Sequence, residues 1–263
     1  MSRFIAAMDH SGGSTGGVLD RYGVEWNEQD KMDKVHAMRL RMVNSPDFNN
    51  KNISAAILYQ DTVKRGMVDI LHDMGINTFL KIDSGLNEDG TLKQFPVKQM
   101  LEFAVDHNMY GTKMRSVVKD VHMAHTVLKQ QFTIARTVYE HGLIPIIEPE
   151  VPIDHPQKAE IEGELVYHLF EFLDIFQGDC ILKLTPPETP NLYHDFTTLN
   201  KVDKVVFLSG GYSTAEACNR LGLNDDVTAS FSRALSEGLF YEQTDEEFNA
   251  ALSKNISLIV ESI

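Results

Sequence analysis

Ile144-Pro145-Ile146-Ile147-Glu148-Pro149-Glu150 is a short apolar run that closes on two carboxylates spaced by two. Three other runs are built alike: Phe79-Leu80-Lys81-Ile82-Asp83, Gly111-Thr112-Lys113-Met114-Arg115 and Cys180-Ile181-Leu182-Lys183-Leu184-Thr185. Side chains alternate faces along a strand, so Lys81 and Asp83, Lys113 and Arg115, and Glu148 and Glu150 each share a face, while Lys183 stands alone among apolar neighbours. Charge inside a packed sheet is costly unless it is paired or used. Strands of this kind ending side by side would gather lysines, an arginine and carboxylates at one mouth, which is the material of an active site.

Outward from these runs, strand-like and helix-like segments alternate from end to end. Strands are expected at 4–8, 54–59, 77–83, 109–115, 143–149, 179–185, 204–209 and 226–231. Apolar residues at helical spacing lie between them: Met32, Val35, Met38 and Met42; Val63, Met67, Ile70, Leu71 and Met74, ending at Gly75; Val97, Met100, Leu101 and Ala104; Val127, Phe132, Ala135 and Val138; Leu165, Leu169, Phe172 and Phe176. Ser213 with Glu216, and Thr244 with Glu247, have the spacing of capping boxes that open two late helices. Eight alternations in 263 residues, without linker or repeat, favour a single (β/α)8 TIM barrel spanning 1–263, a fold that takes about 250 residues and carries its active site at the C-terminal ends of its strands. A doubly wound open sheet is the alternative, but its usual nucleotide fingerprints are missing.

A net charge of −14 and a pI near 5.1 argue against nucleic acid and anionic membrane as partners, so an anionic ligand must be drawn by a local cluster. Cys180 and Cys218 are too few for a disulfide framework, and Arg3 to Asp9 after Met1 is too short an apolar run for a leader or a span. A soluble, cytoplasmic protein is expected.

The loops after the last two strands supply anion-binding material. Ser209-Gly210-Gly211-Tyr212-Ser213 enters a capped helix, and Ser230-Phe231-Ser232-Arg233 enters another; glycines admit backbone amides to an anion, a helix N-terminus favours it, and Arg233 adds charge. His10-Ser11-Gly12-Gly13-Ser14-Thr15-Gly16-Gly17 is a second glycine-rich loop, after the first strand. Two such loops suggest a ligand with two phosphates, although ordinary tight turns would look the same. Lys183, mid-run and near a strand end, is suited to desolvation that exposes a nucleophilic amine, with Lys113 and Arg115 as cationic neighbours. Glu148 and Glu150 are matched to proton transfer, and Asp9 faces the same mouth. His122 and His125 have no downstream metal partner and are read as solvated; the carboxylates from Glu160 to Glu171 are read as a solvated helix face.

Taken in order, Ile5-Ala6-Ala7-Met8-Asp9-His10-Ser11-Gly12-Gly13-Ser14, Leu80-Lys81-Ile82-Asp83, Lys113-Met114-Arg115, Pro145 to Glu150, Leu182-Lys183, Phe207 to Ser213 and Phe231-Ser232-Arg233-Ala234-Leu235 resemble the class I fructose-1,6-bisphosphate aldolases, in their short bacterial-type branch. The resemblance implies a metal-independent lyase that reversibly cleaves fructose 1,6-bisphosphate to dihydroxyacetone phosphate and glyceraldehyde 3-phosphate, with no cofactor. It implies Lys183 as the Schiff-base nucleophile, Glu148 as acid and base, Glu150 and Lys113 as groups that set its surroundings, Asp9 against the C4 hydroxyl, and Arg115 as an orienting residue. It implies Ser209, Gly210, Gly211, Ser232 and Arg233 at the C1 phosphate, and Ser11, Ser14 and Lys81 at the C6 phosphate. The chain departs from the family pattern at His10, where many members carry glutamate, and at Ser232, which replaces a glycine; Gly17 and Val18 stand where animal enzymes are basic. A Schiff-base aldolase of sugar monophosphates and a non-catalytic barrel scaffold are the competing readings. A homo-oligomer is left open by the sequence.

Overall fold

The structure, a computed structural model, describes residues 3–263. Met1 and Ser2, part of the start read above as carrying no leader, lie outside the described residues. The strands are β1 (Phe4–Met8), β2 (Ile53–Leu58), β3 (Asn77–Lys81), β4 (Gly111–Val117), β5 (Ile144–Glu150), β6 (Cys180–Leu184), β7 (Val202–Phe207) and β8 (Thr228–Ala229). They pair in parallel and in chain order as one eight-stranded sheet. Between β8 and β1 the sheet is nearly closed: Ala7 N–H donates to the Phe231 carbonyl at 3.1 Å and Thr228 Oγ1 donates to the Arg3 carbonyl at 3.2 Å. The (β/α)8 barrel expected from the alternation is therefore the fold.

Period-two alternation sorts the strands into two faces. Ile5, Ala7, Ala55, Ile57, Phe79, Ile146, Ile181 and Val206 fill the barrel interior as a separate apolar cluster. Ala6, Met8, Leu58, Leu80, Met114, Ile147, Leu182 and Phe207 face outward into the larger core shared with the helices. The interior series then runs upward into polar residues at the same phase: Ile5-Ala7-Asp9, Phe79-Lys81-Asp83, Ile144-Ile146-Glu148-Glu150 and Ile181-Lys183. An apolar floor beneath and charge above is what the spacing of two dictates.

The helices are α1 (Gly13–Tyr22), α2 (Lys31–Val43), α3 (Gln60–Lys64), α4 (Met67–Asp73), α5 (Val97–Asp106), α6 (Ala124–Glu140), α7 (Lys158–Ile175), α8 (His194–Thr197), α9 (Thr214–Leu221), α10 (Arg233–Ser236) and α11 (Asp245–Glu261). Several expectations need correction. The glycine loop after β1 is helical from Gly13 onward, so only its first residues form a turn. The segment through Val63 and Met74 is two helices, broken at Gly66, which sits at φ 82° and cannot continue a right-handed helix. Thr244 and Glu247 form a complete capping box, whereas Ser213 caps Glu216 N–H in one direction only and the Glu216 carboxylate turns to Arg220 at 2.7 Å. Glu162 on α7 is not solvated: it is fully buried, lies 2.6 Å from Lys158 Nζ, and accepts from Glu188 N–H at 3.0 Å. Lys158 Nζ also donates to the Pro186 carbonyl at 2.8 Å, so this pair anchors the chain just after β6. No helix among the described residues is long and apolar enough to cross a membrane.

Candidate active site

The charged strand ends converge on a cavity of about 870 Å³ at the C-terminal mouth of the barrel. All fourteen candidate residues line it: Asp9, Ser11, Ser14, Lys81, Lys113, Arg115, Glu148, Glu150, Lys183, Ser209, Gly210, Gly211, Ser232 and Arg233. They divide into a buried centre and a polar rim.

At the centre four groups form a chain of alternating charge. Asp9 Oδ2 lies 2.6 Å from Lys113 Nζ, Lys113 Nζ lies 2.9 Å from Glu148 Oε2, and Glu148 Oε1 lies 3.2 Å from Lys183 Nζ. Lys113, Glu148 and Lys183 are each 3 % exposed. In such a low-dielectric setting the neighbours decide which groups hold protons. Burial pulls the Lys183 amine below its ordinary value, and Lys113 pushes the same way, against the opposing pull of Glu148 and Asp9. Lys113 is also buried, but Asp9, Glu148 and Asp83 outweigh burial and hold it firmly protonated. Burial works to raise both carboxylates, yet Lys113 and Lys183 prevail and keep Asp9 well below the usual carboxylate range and Glu148 below its ordinary value. One lysine is biased toward a free amine and the other toward a fixed cation. Lys183, which has no partner in sequence, thus gains Glu148 in space.

The expected neighbours of Lys183 are only partly right. Lys113 is one of them; Arg115 instead pairs with Glu150 through its Nε, is 43 % exposed at its side chain, and acts on Glu148 from outside. Glu150 is accordingly bound to Arg115 and is not a second free carboxylate beside Glu148.

Glu148 is held by Gln131, a residue that the reading of the sequence did not single out. The β5–β6 ladder runs only through Ile146–Ile181 and Ile147–Leu182. Beyond it, Glu148 N–H donates to Gln131 Oε1 and Gln131 Nε2 donates to the Glu148 carbonyl, both at 3.0 Å, from the buried face of α6. Thr185 does the same for Val151, its Oγ1 accepting at 2.9 Å and donating at 2.8 Å. Gln131→Leu keeps the volume and strands two buried main-chain groups, each costing about 1–3 kcal/mol. The expected result is a loss of about 3 kcal/mol in chemical unfolding, with a lower kcat; a variant as stable as the parent would show that Gln131 is not what holds β5 there.

The rim presents hydrogen-bond donors. Gly210 and Gly211 adopt φ 54° and 110°, open to glycine, and their amides have no main-chain acceptor among the described residues. Arg233 Nη1 reaches the Gly211 carbonyl at 3.4 Å. The helix N-terminus expected to help here is already occupied: Thr214 N–H donates to the Glu237 carboxylate at 2.7 Å, and α10 is a single turn. Across the mouth Ser14 Oγ accepts from Ser11 N–H at 3.1 Å and donates to the Ser11 carbonyl at 2.9 Å, while Lys81 Nζ is bonded to Asp83 at 2.7 Å. Arg21 and Ser230 also line the cavity and were missed. Arg21 and Arg233 stand near enough to repel, and neither has a carboxylate at ion-pair distance among the described residues. Ser230 is buried and its hydroxyl has no partner among the described residues. Had 13–22 been read as a helix, Ser14, Gly17 and Arg21 would have fallen on one face; the Arg21 guanidinium does lie over Gly17.

Comparison with known proteins places this geometry in context. Residues 2–162, more than half of the chain, match the family described as fructose-bisphosphate aldolase class-I. The chain is 42 % identical to the fructose-bisphosphate aldolase class 1 of Synechocystis, over 98 % of this chain and 93 % of that protein. It is 41 % identical to the protein of the same name from Clostridium acetobutylicum, over 98 % and 94 %. Among solved structures, a fructose-bisphosphate aldolase from Plasmodium falciparum superposes with a TM-score of 0.80 at 20 % identity, covering 99 % of this chain and 90 % of that one. An archaeal fructose-1,6-bisphosphate aldolase superposes at 0.53 with 13 % identity, covering 97 % and 93 %, and shares the fold.

Proposed function

The chain belongs to the class I fructose-bisphosphate aldolases, and from that membership we propose that residues 1–263 form one catalytic barrel in which Lys183 is the Schiff-base amine for fructose 1,6-bisphosphate. The observation that carries the assignment is the buried chain Asp9–Lys113–Glu148–Lys183, in which only Lys183 is biased toward a free amine.

Each step follows from the position of a proton. The Lys183 amine attacks the C2 carbonyl of the open-chain sugar, and as the carbonyl oxygen takes up a proton from solvent a carbinolamine forms, its nitrogen still carrying both amine hydrogens. Glu148, 3.2 Å from that amine, takes the proton released by nitrogen and returns it to the departing hydroxyl, so that water leaves and an iminium forms. The cationic nitrogen then accepts the electron pair of the C3–C4 bond as it breaks, leaving an enamine on C3. The C4 hydroxyl must lose its proton in the same step, becoming the aldehyde of glyceraldehyde 3-phosphate. Asp9 and Glu148 are both held as carboxylates and can receive it. Lys113 stays protonated between them and stabilises both anions. Protonation of the enamine at C3 and hydrolysis of the iminium release dihydroxyacetone phosphate.

For the phosphates, Ser209, Gly210, Gly211, Ser232 and Arg233 are assigned to the C1 end, and Ser11, Ser14 and Lys81 to the C6 end. Arg115, tied to Glu150, orients the sugar from the rim. Arg21 and Arg233, with no carboxylate at ion-pair distance among the described residues, give a cavity in an acidic protein the local positive field that a bisphosphate requires. The two cysteines are free and buried, in keeping with a cytoplasmic enzyme.

Borohydride added with dihydroxyacetone phosphate is expected to attach the three-carbon unit irreversibly to Lys183, located by peptide mass, and EDTA is expected to leave turnover unchanged. Fructose 1-phosphate should be cleaved with lower kcat/KM than the bisphosphate, because it leaves the Ser11, Ser14 and Lys81 end empty. A label on another lysine would overturn the assignment, and equal rates on the two sugars would favour a monophosphate aldolase.

A further inference from the structure

His10 and Ser232, on opposite sides of the seam between β1 and β8, touch: His10 Nε2 lies 2.9 Å from Ser232 Oγ. Behind His10 is a buried arginine with no role in the chemistry above. Arg39 of α2 is 2 % exposed, donates from Nη2 to the His10 carbonyl at 2.7 Å and from Nη1 to Thr62 Oγ1 at 2.5 Å, and has no carboxylate at ion-pair distance among the described residues. A buried guanidinium with no carboxylate in contact among the described residues is costly even with the more distant charges of Asp9 and Asp61 favouring it, and its bond to the His10 carbonyl fixes the main chain that carries the imidazole.

We propose that His10 is a positioning residue for substrate phosphate: Arg39 pins its main chain, and its ring holds Ser232 Oγ so that the hydroxyl proton is presented to the cavity. The proposal rests on the assignment of this rim to a phosphate group, made above. Two tautomers are open to the ring, and they have opposite effects. With the proton on Nδ1, Ser232 donates to His10 and turns its lone pairs toward the ligand, which repels an anion. With the proton on Nε2, Ser232 accepts from His10 and keeps its own proton to donate to a phosphate oxygen. An arriving phosphate therefore selects the Nε2–H form. The ring is neutral near pH 7, since burial lowers it to about 4 and the Arg39, Arg21 and Lys113 charges, acting in the same direction, outweigh the pull of Asp9. Neutrality is what leaves the choice of tautomer to the ligand.

The test is a double-mutant cycle read with inorganic phosphate as the ligand, by calorimetry on the full-length protein, together with kcat and KM for the bisphosphate. Ser232→Ala is expected to weaken phosphate binding about tenfold, the scale of one hydrogen bond to an anion. His10→Ala should weaken it roughly three- to tenfold, with KM raised and kcat little changed. His10→Gln, which can still donate to Oγ, should return binding to within about twofold of the parent. The double variant should bind no more weakly than Ser232→Ala alone. Nitrogen-15 spectra of the unmutated protein should show the proton on His10 Nε2 once phosphate is added, a readout that needs no variant to fold. Multiplicative losses in the double variant, unchanged binding in His10→Ala, or a phosphate-bound ring protonated on Nδ1 would each overturn the proposal. Borohydride trapping on Lys183 reads the aldolase assignment separately: its absence from the unmutated protein would sink that assignment and leave the tautomer result standing.

Discussion

Lys183→Met is expected to lower kcat by on the order of 10⁵-fold or more, the scale on which removal of a covalent nucleophile acts, while inorganic phosphate still binds. Methionine fills nearly the same volume and keeps the flexible stem, so the barrel interior above Ile181 stays packed. What is lost is the amine. Without it no iminium forms at C2, and the electrons of the C3–C4 bond have nowhere to go. The substitution also removes one of the two cations in contact with Glu148, which leaves that carboxylate to Lys113 and the more distant Arg115. Its proton affinity should rise, because Lys183 is among the groups that hold it down. Rapid-mix assays of product release, phosphate calorimetry and borohydride labelling together separate the outcomes. Activity within tenfold of the parent would sink the Schiff-base role, and loss of phosphate binding along with turnover would mean that the rim had collapsed.

Glu148→Gln has the second-largest expected effect, a loss of about 10²–10⁴-fold in kcat from removal of a general acid and base. Its more informative consequence concerns Lys183. The Glu148 carboxylate favours the charged form of that amine, whereas burial and Lys113 oppose it. Once the carboxylate is replaced by a neutral amide, the opposing influences act with less resistance and the pKa of the Lys183 amine should fall further. The pH at which Lys183 becomes reactive toward a simple aldehyde and borohydride should therefore move down, even though turnover has been lost. The four groups titrate as a coupled set, so the measured value belongs to the cluster and its direction of movement is the quantity to read. A midpoint that stays fixed, or moves up, would show that Glu148 is not the principal partner of Lys183.

Much of the centre was legible because it depends on the period of a strand. Asp9, Lys81, Lys113, Glu148 and Lys183 continue the interior phase of their own strands past the apolar floor, and period two alone places them inside. The pairings were not legible, since Asp9–Lys113 joins β1 to β4 and Glu148–Lys183 depends on where β5 and β6 part. The first helix was hidden by its composition. Gly13, Gly16 and Gly17 are poor helix formers, and the stretch reads as a loop until Gly16 is seen packed against the Trp26 ring, where a side chain would not fit. Gln131 and Arg39 were hidden for the opposite reason. Each is a polar residue at the buried phase of an otherwise apolar helix, Gln131 beside Val127, Leu128 and Phe132, and Arg39 beside Val35, Met38 and Met42. A polar residue at an apolar phase is the signal by which both could have been found.

The seam between β8 and β1 has a consequence for how the molecule responds to its ligand. The sheet is weakest there, and the residues assigned to phosphate lie on both of its banks, Ser232 and Arg233 on one and Ser11 and Ser14 on the other. A bisphosphate reaching from one bank to the other would act as a missing rung, adding between the first and last strands the cross-links that the backbone does not supply. Recognition and barrel closure would then draw on the same contacts. The empty barrel would then be the more compliant ring, with its looseness concentrated at the gap, and the occupied one the tighter.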